Sequence, residues 1–161
     1  MENNNQIKVT IFTDGAARGN PGPGGYGVVL ISGQHRKELS EGFMLTTNNR
    51  MELLAVIMGL EVLKHSGSNV VVYSDSKYVV DAVDKGWVFS WEKKNFKKKK
   101  NPDLWKRFLI IYRQHKVKFV WIKGHANHRE NERCDQLAVA ASMGSKLNKD
   151  EGYSPDLDVD E

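Results

Sequence analysis

An α/β domain with a mixed sheet is the fold class the sequence predicts, and three observations predict it. Extended and helical patterns succeed one another as β-β-β-α-β-α-α-β-α, with a basic stretch before the third helix. Residues 70–75, VVVYSD, form a short continuous apolar run, the mark of a strand buried on both faces in a parallel part of a sheet. Gly33 and Gln34 lie between two earlier extended runs, which predicts a hairpin and hence an antiparallel part.

Each element has its own justification. Ile7, Val9 and Ile11 alternate with Lys8 and Thr10, giving a first strand that ends near Asp14. Residues 28–31, VVLI, begin a second strand and residues 37–45 supply a third. Thr47, Asn48 and Asn49 offer N-caps to RMELLAVIMGLEVLK, whose apolar spacing and helix-forming residues carry a helix to about residue 64. Gly67 and Asn69 close it. A helix over residues 76–83 starts directly after Asp75 and stops before Gly86. Residues 87–101 are aromatic and lysine-rich, and a helix over 103–115, a strand over 117–122 and a helix over 131–143 complete the pattern.

Composition narrows the function classes. The chain has 161 residues, enough for one domain with a sizeable core. No apolar run approaches the ~18 residues of a membrane span, and the opening MENNNQ has no signal-peptide pattern. The single cysteine, Cys134, excludes an internal disulfide framework and fits a reducing cytosol, so a cytoplasmic protein is expected; a monomer is expected as well. The net charge of +4 hides an asymmetry: residues 150–161 carry six acidic and no basic side chains, while residues 1–149 carry 24 basic against 14 acidic ones. A body this basic points to a polyanionic partner, nucleic acid first. The domain is expected over residues 1–145, with 146–161 an acidic, disordered tail.

The run TDGAARGNPGPGGYGVVLIS contains Gly22-Pro-Gly24-Gly25-Tyr-Gly27, a literal G-x-G-x-x-G. A dinucleotide-binding loop must open a helix, whereas these glycines run into an apolar, β-branched strand pattern. Pro21 and Pro23 also remove backbone N–H donors. The glycines are read as shaping the turn after the first strand, and attention moves to Asp14.

Four acidic residues carry the chemistry on offer. Phe12-Thr13-Asp14-Gly15 is echoed by Tyr73-Ser74-Asp75-Ser76, each at the carboxyl end of a predicted strand, where ligands collect in open α/β sheets. Alone, Asp75 reads equally as the cap of the helix that follows it. Glu52 lies near the start of the first helix, and Asn49-x-x-Glu52 has capping-box spacing, so a structural role competes there too. Asp135 shares a helix with Ala138, Val139 and Ser142, a small face able to pack close to a sheet. Converging carboxylates raise one another's pKa unless cations neutralise them. Mg²⁺ suits such a site, and two such ions about 4 Å apart drive phosphodiester cleavage. In KGHANHRENERCD, His125 on a loop beside a metal site fits a proton shuttle. His125, His128 and Cys134 also invite a zinc reading, which lacks a fourth ligand.

The blocks FTDGAARGNPGPGGYG, TTNNRMELLA, YSDSKYV, DLWKR and WIKGHANHRENERCDQLA together resemble type-1 bacterial ribonuclease H, in family order over residues 7–143. That resemblance implies a ribonuclease H-like fold with a five-stranded mixed sheet flanked by helices. It implies endonucleolytic cleavage of the RNA strand of RNA–DNA hybrids, leaving 5′-phosphate and 3′-hydroxyl ends. Position by position it implies that Asp14, Glu52, Asp75 and Asp135 bind Mg²⁺, with Mn²⁺ a substitute, and that His125 is the catalytic-loop histidine. Asn20, Asn48 and Asn49 match minor-groove contacts, where 2′-hydroxyls distinguish RNA from DNA. Thr47 and Asn101 match contacts to DNA-strand phosphates.

GWVFSWEKKNFKKKKNPDLW resembles the family's basic protrusion that grips the DNA strand. Here Lys93, Lys94, Lys97, Lys98, Lys99 and Lys100 are expected to neutralise phosphates, with Trp87 among the substrate contacts and the other tryptophans mainly structural. The chain departs from the family pattern at Leu45, where many members carry a basic residue, at Lys77, where glutamine is common, and at Ala17, often cysteine.

Overall fold

A computed structural model describes residues 7–124 and 128–158. The elements in chain order are β1 (Lys8–Ala17), β2 (Gly22–Ser32), β3 (His35–Thr46), α1 (Asn48–Glu61), β4 (Asn69–Ser74), α2 (Lys77–Asp84), α3 (Trp87–Lys93), α4 (Pro102–Tyr112), β5 (Lys116–Trp121), α5 (Arg129–Ser142) and β6 (Leu147–Asn148), with a 3₁₀ turn at Pro155–Asp158. The sheet runs β5-β4-β1-β2-β3-β6. β1, β2 and β3 form an antiparallel meander, while β4 joins β1, and β5 joins β4, in parallel. The chain thus turns back at β1, and the gap between β1 and β4 is the switch point where such sheets bind ligands.

The mixed α/β architecture is as expected, but the sheet has six strands. β6 is two residues long and pairs in parallel with Gly42 and Phe43, too short to leave any periodic signal. Its presence also corrects the expected tail. Residues 147–150 are part of the domain, because Asp150 is buried and receives hydrogen bonds from Arg50 and Thr46. A charge-rich stretch reads as disordered only when its countercharge, here on α1, is left out of account.

The core lies mainly between the sheet and α1. Ile11, Val28, Met51, Leu53, Ile57, Leu60 and Val72 are fully buried there. Trp105 and Phe108 on α4 extend it, and the Trp105 indole N–H donates to the Tyr78 hydroxyl at 2.9 Å. Each such side chain contributes about 1.5–3 kcal/mol by leaving water. α5 covers the other face, against β1, β2 and β3. No helix among the described residues is long and apolar enough to cross a membrane.

The glycine run is where the structure differs most from the expected turn. Gly22–Ser32 is strand throughout, and Gly27 pairs with Asp14 across the β1–β2 ladder. Directly opposed residues share a sheet face, so Gly27 lies on Asp14's side, under α5. A Cβ at Gly27 would overlap the carbonyl oxygen of Cys134. On the other face a Cβ at Gly15 would collide with the backbone of Met51 and Glu52 in α1. Missing side chains therefore draw both helices against the strand that carries Asp14.

Candidate active site

Asp14 sits within β1, four-percent exposed, three residues before the strand ends. The parallel register pairs Phe12 with Tyr73, so continuing it by two residues sets Asp75 beside Asp14. The sequence echo is thus a structural one: Phe12 and Tyr73 stack at 5.1 Å, and the Thr13 hydroxyl donates to the Tyr73 carbonyl at 3.3 Å. Capping roles fall to neighbours instead. The Ser76 hydroxyl accepts the Val79 N–H at the start of α2, and the Thr47 hydroxyl accepts the Arg50 N–H at the start of α1. Asp75 and Glu52 are released from both local alternatives.

Carboxylate oxygens of Asp14, Glu52 and Asp75 lie within 4.8 Å of one another. Burial, then the charge of Asp75 and a hydrogen bond with Asp135, raise the Asp14 pKa from 3.8 to about 8. Burial, then the charges of Asp14 and Asp75, hold Glu52 well above the ordinary carboxylate range. The Gly15 N–H pulls both the other way, and loses. Glu52 Oε1 is buried and accepts no hydrogen bond among the described residues. An oxygen-only donor set with an unsatisfied oxygen and mutual repulsion fits a divalent cation.

Asp135 stands outside that tight group but lines the same cleft of about 460 Å³, with Asp14, Asn48, Asn49, Glu52, Asp75 and Lys77. α5 presents it one residue past Cys134, whose carbonyl fills the space Gly27 leaves. A larger cleft, about 530 Å³, lies at the opposite strand ends around Asn69 and Lys116. None of its lining residues is acidic, and it is far from any switch-point chemistry. The zinc alternative fails on the cysteine: Cys134 is buried, its Sγ lies 3.1 Å from the Phe12 carbonyl oxygen, and burial pushes its thiol pKa up. His125 lies outside the described residues, and His128 is the N-cap residue of α5 without a side-chain cap bond.

The residues expected to touch nucleic acid divide into two groups. In the first, the Asn48 N–H donates to Asn20 Oδ1 at 2.9 Å and the Ala17 N–H donates to Asn48 Oδ1 at 2.6 Å, tying the turn after β1 to the start of α1. Asn49 is exposed at the cleft. The second is the basic segment. Lys93, Lys94, Lys97, Lys98 and Lys99 are exposed and Lys100 is half-buried. Trp91 and Phe96 anchor it in the core, while Trp87 remains 46% exposed beneath the Lys85 ammonium. Left-handed backbone at Asn95, Phe96, Lys98 and Asn101 breaks the helix that composition alone would allow.

Sequence reasoning passed over Arg50. It is one-percent exposed and binds Asp103 and Asp150 through charge-assisted hydrogen bonds of 2.7–3.0 Å. An arginine near a helix start reads as solvent-facing, and only its partners, 53 and 100 residues away, reveal otherwise.

Residues 6–143 match the RNase H family. A ribonuclease H of Syntrophus aciditrophicus is 56% identical over 153 residues, 92% of this chain and 88% of that protein. The crystal structure of LC9-RNase H1, described as a type 1 RNase H with the type 2 active-site motif, superposes with a TM-score of 0.80 at 30% identity, covering 90% of this chain and 76% of that one. LC11-RNase H1 in complex with an RNA/DNA hybrid gives a TM-score of 0.63 at 31% identity, covering 83% of this chain and 95% of that one. The family match and these relatives cover most of the length, and the chain belongs to the ribonuclease H family.

Proposed function

We propose that the protein is an endonuclease that hydrolyses the RNA strand of RNA–DNA hybrids with Mg²⁺, or Mn²⁺ in its place, leaving 5′-phosphate and 3′-hydroxyl ends. The observation that carries this reading is the Asp14–Glu52–Asp75 cluster at the switch point of a ribonuclease H sheet. The hybrid bound to LC11-RNase H1 supports the substrate class. We read the protein as a cytoplasmic monomer.

Asp14, Glu52, Asp75 and Asp135 would hold the ions, which supply charge neutralisation of the scissile phosphate and an activated water. Burial and mutual repulsion favour protonated Asp14 and Glu52, so holding ions there would be coupled to their deprotonation. His125 would carry a proton between the site and solvent. Asn20, Asn48 and Asn49 would face the minor groove. The carbonyl oxygens of Asn20 and Asn48 are already engaged, so their amide N–H groups are what remain for a 2′-hydroxyl oxygen. Lys93, Lys94, Lys97, Lys98, Lys99 and Lys100, with Trp87, Thr47 and Asn101, would hold the DNA strand by its backbone, which carries little sequence preference.

The test is cleavage of an end-labelled hybrid with Mg²⁺. We expect internal cuts in the RNA strand only, none in duplex DNA, and no cleavage by Asp14→Asn or with chelator. Turnover by Asp14→Asn equal to wild type would overturn the assignment.

A further inference from the structure

Arg50 has a guanidinium with five N–H donors and no acceptor, and the fold uses them all. Nε donates to Asp150 Oδ2 at 2.7 Å. Nη2 donates to Asp150 Oδ1 at 3.0 Å and Asp103 Oδ2 at 2.8 Å, with the Glu151 carbonyl at 3.3 Å. Nη1 donates to Asp103 Oδ1 at 2.9 Å and to Asn101 Oδ1 at 3.2 Å. Its backbone N–H donates to the Thr47 hydroxyl at 3.2 Å. The Thr46 hydroxyl adds a bond to Asp150 Oδ2 at 2.7 Å, and the Tyr153 ring lies 5.6 Å from the guanidinium carbon.

Arg50 therefore holds Asn101 through its guanidinium and Thr47 through its backbone N–H, each by an acceptor, and Asp150 holds Thr46 beside Thr47. Arginine can only donate, so the Asn101 atom it meets is the carbonyl oxygen and the amide nitrogen points the other way, where it donates to the Tyr78 hydroxyl at 2.9 Å. With each oxygen engaged by Arg50 and one Asn101 amide hydrogen given to Tyr78, Thr47 keeps its hydroxyl hydrogen and Asn101 its second amide hydrogen as donors. Anions bind donors and are repelled by exposed lone pairs. The left-handed Asn101, with no side-chain cap bond to α4, is thereby committed to this arrangement.

We propose that Asp150, on the C-terminal segment, is a positioning residue for the DNA strand: through the Arg50 guanidinium it orients Asn101, and through Thr46 it holds the backbone that carries Thr47, so that both offer donors to one backbone phosphate. This rests on the hybrid-binding function proposed for the protein. Without Asp150 the guanidinium keeps Asp103 but loses one of the two bidentate carboxylates that fix its plane, which loosens its hold on the Asn101 oxygen.

The experiment pairs Asp150→Asn with a panel of hybrids in which single DNA-strand phosphates are replaced by uncharged methylphosphonates. Asp150→Asn should raise KM three- to tenfold with kcat within twofold. At one phosphate position, replacement should weaken the wild type about tenfold and the variant less than twofold. A core variant of matched stability loss, Leu109→Ala, should keep the wild-type pattern, which separates positioning from folding. Asp103→Asn, on the exposed side of the same arginine, should reproduce the KM change if Asp150→Asn folds poorly. Equal methylphosphonate sensitivity in wild type and both clamp variants would overturn the proposal. A wild type that binds no hybrid, or is insensitive at every position, would instead overturn the reading on which it rests.

Discussion

Asp14 shows how a single side chain is tuned by what surrounds it. Its pKa, raised from 3.8 to about 8, means that the folded, metal-free protein keeps a proton that the unfolded chain releases. Stability then falls as pH rises from about 4 to about 8, since the unfolded state binds fewer protons across that window. Urea unfolding in chelator at pH 4.5, 6 and 7.5 should show this decline, and saturating Mg²⁺ should abolish it. Asp14→Asn should flatten the metal-free slope, with Glu52 keeping part of it. An unchanged slope in that variant would place the titration elsewhere. Asp14 and Asp75 were legible in the sequence because their local echo is also a register. Arg50 was not, because its identity as a buried residue depends on Asp103 and Asp150, which no local pattern joins to it.

Among the elements, β2 and the basic segment carry distinct expectations. β2 looks like a turn in sequence because glycines usually mark turns, yet here they mark a strand that a helix must approach closely. Gly27→Ala should therefore cost about 1–3 kcal/mol by overpacking against α5. It should also cut cleavage more than that stability loss explains, because α5 carries Asp135. Denaturant titration and rate measurement on the same preparation check both. The basic segment, from α3 to the start of α4, behaves differently. Its anchors are partly buried Trp91 and buried Phe96, while Lys97, Lys98 and Lys99 are exposed and Lys100 half-buried, so these four lysines changed together to Gln should leave stability nearly unaltered. Hybrid binding should weaken, and the slope of log affinity against log salt should flatten by roughly 0.7–0.9 for each phosphate no longer neutralised. A salt slope equal to wild type would remove the segment from the binding surface.

At the scale of the whole molecule, the C-terminal segment closes the domain by joining β6 to the start of α1 and of α4. Stopping the chain after Lys149 deletes Asp150 and strands half of the Arg50 countercharge, and breaking such a buried pair costs about 3–5 kcal/mol. Stopping after Tyr153 keeps every partner of Arg50 and should change stability by no more than about 0.5 kcal/mol. Urea midpoints of the two truncations test this directly, and equal midpoints would return the segment to the status of an appended tail. By itself the sequence determined the order and type of the main elements, the basic surface and the family motifs, since periodicity, charge and short ordered blocks are local properties. Only tertiary structure decided that Asp14, Glu52 and Asp75 meet, that Gly27 admits a helix and that Asp150 belongs to the fold. Those facts depend on pairing register and on partners far apart along the chain, and a carboxylate's pKa or a buried arginine's role exists only once such partners have been brought together.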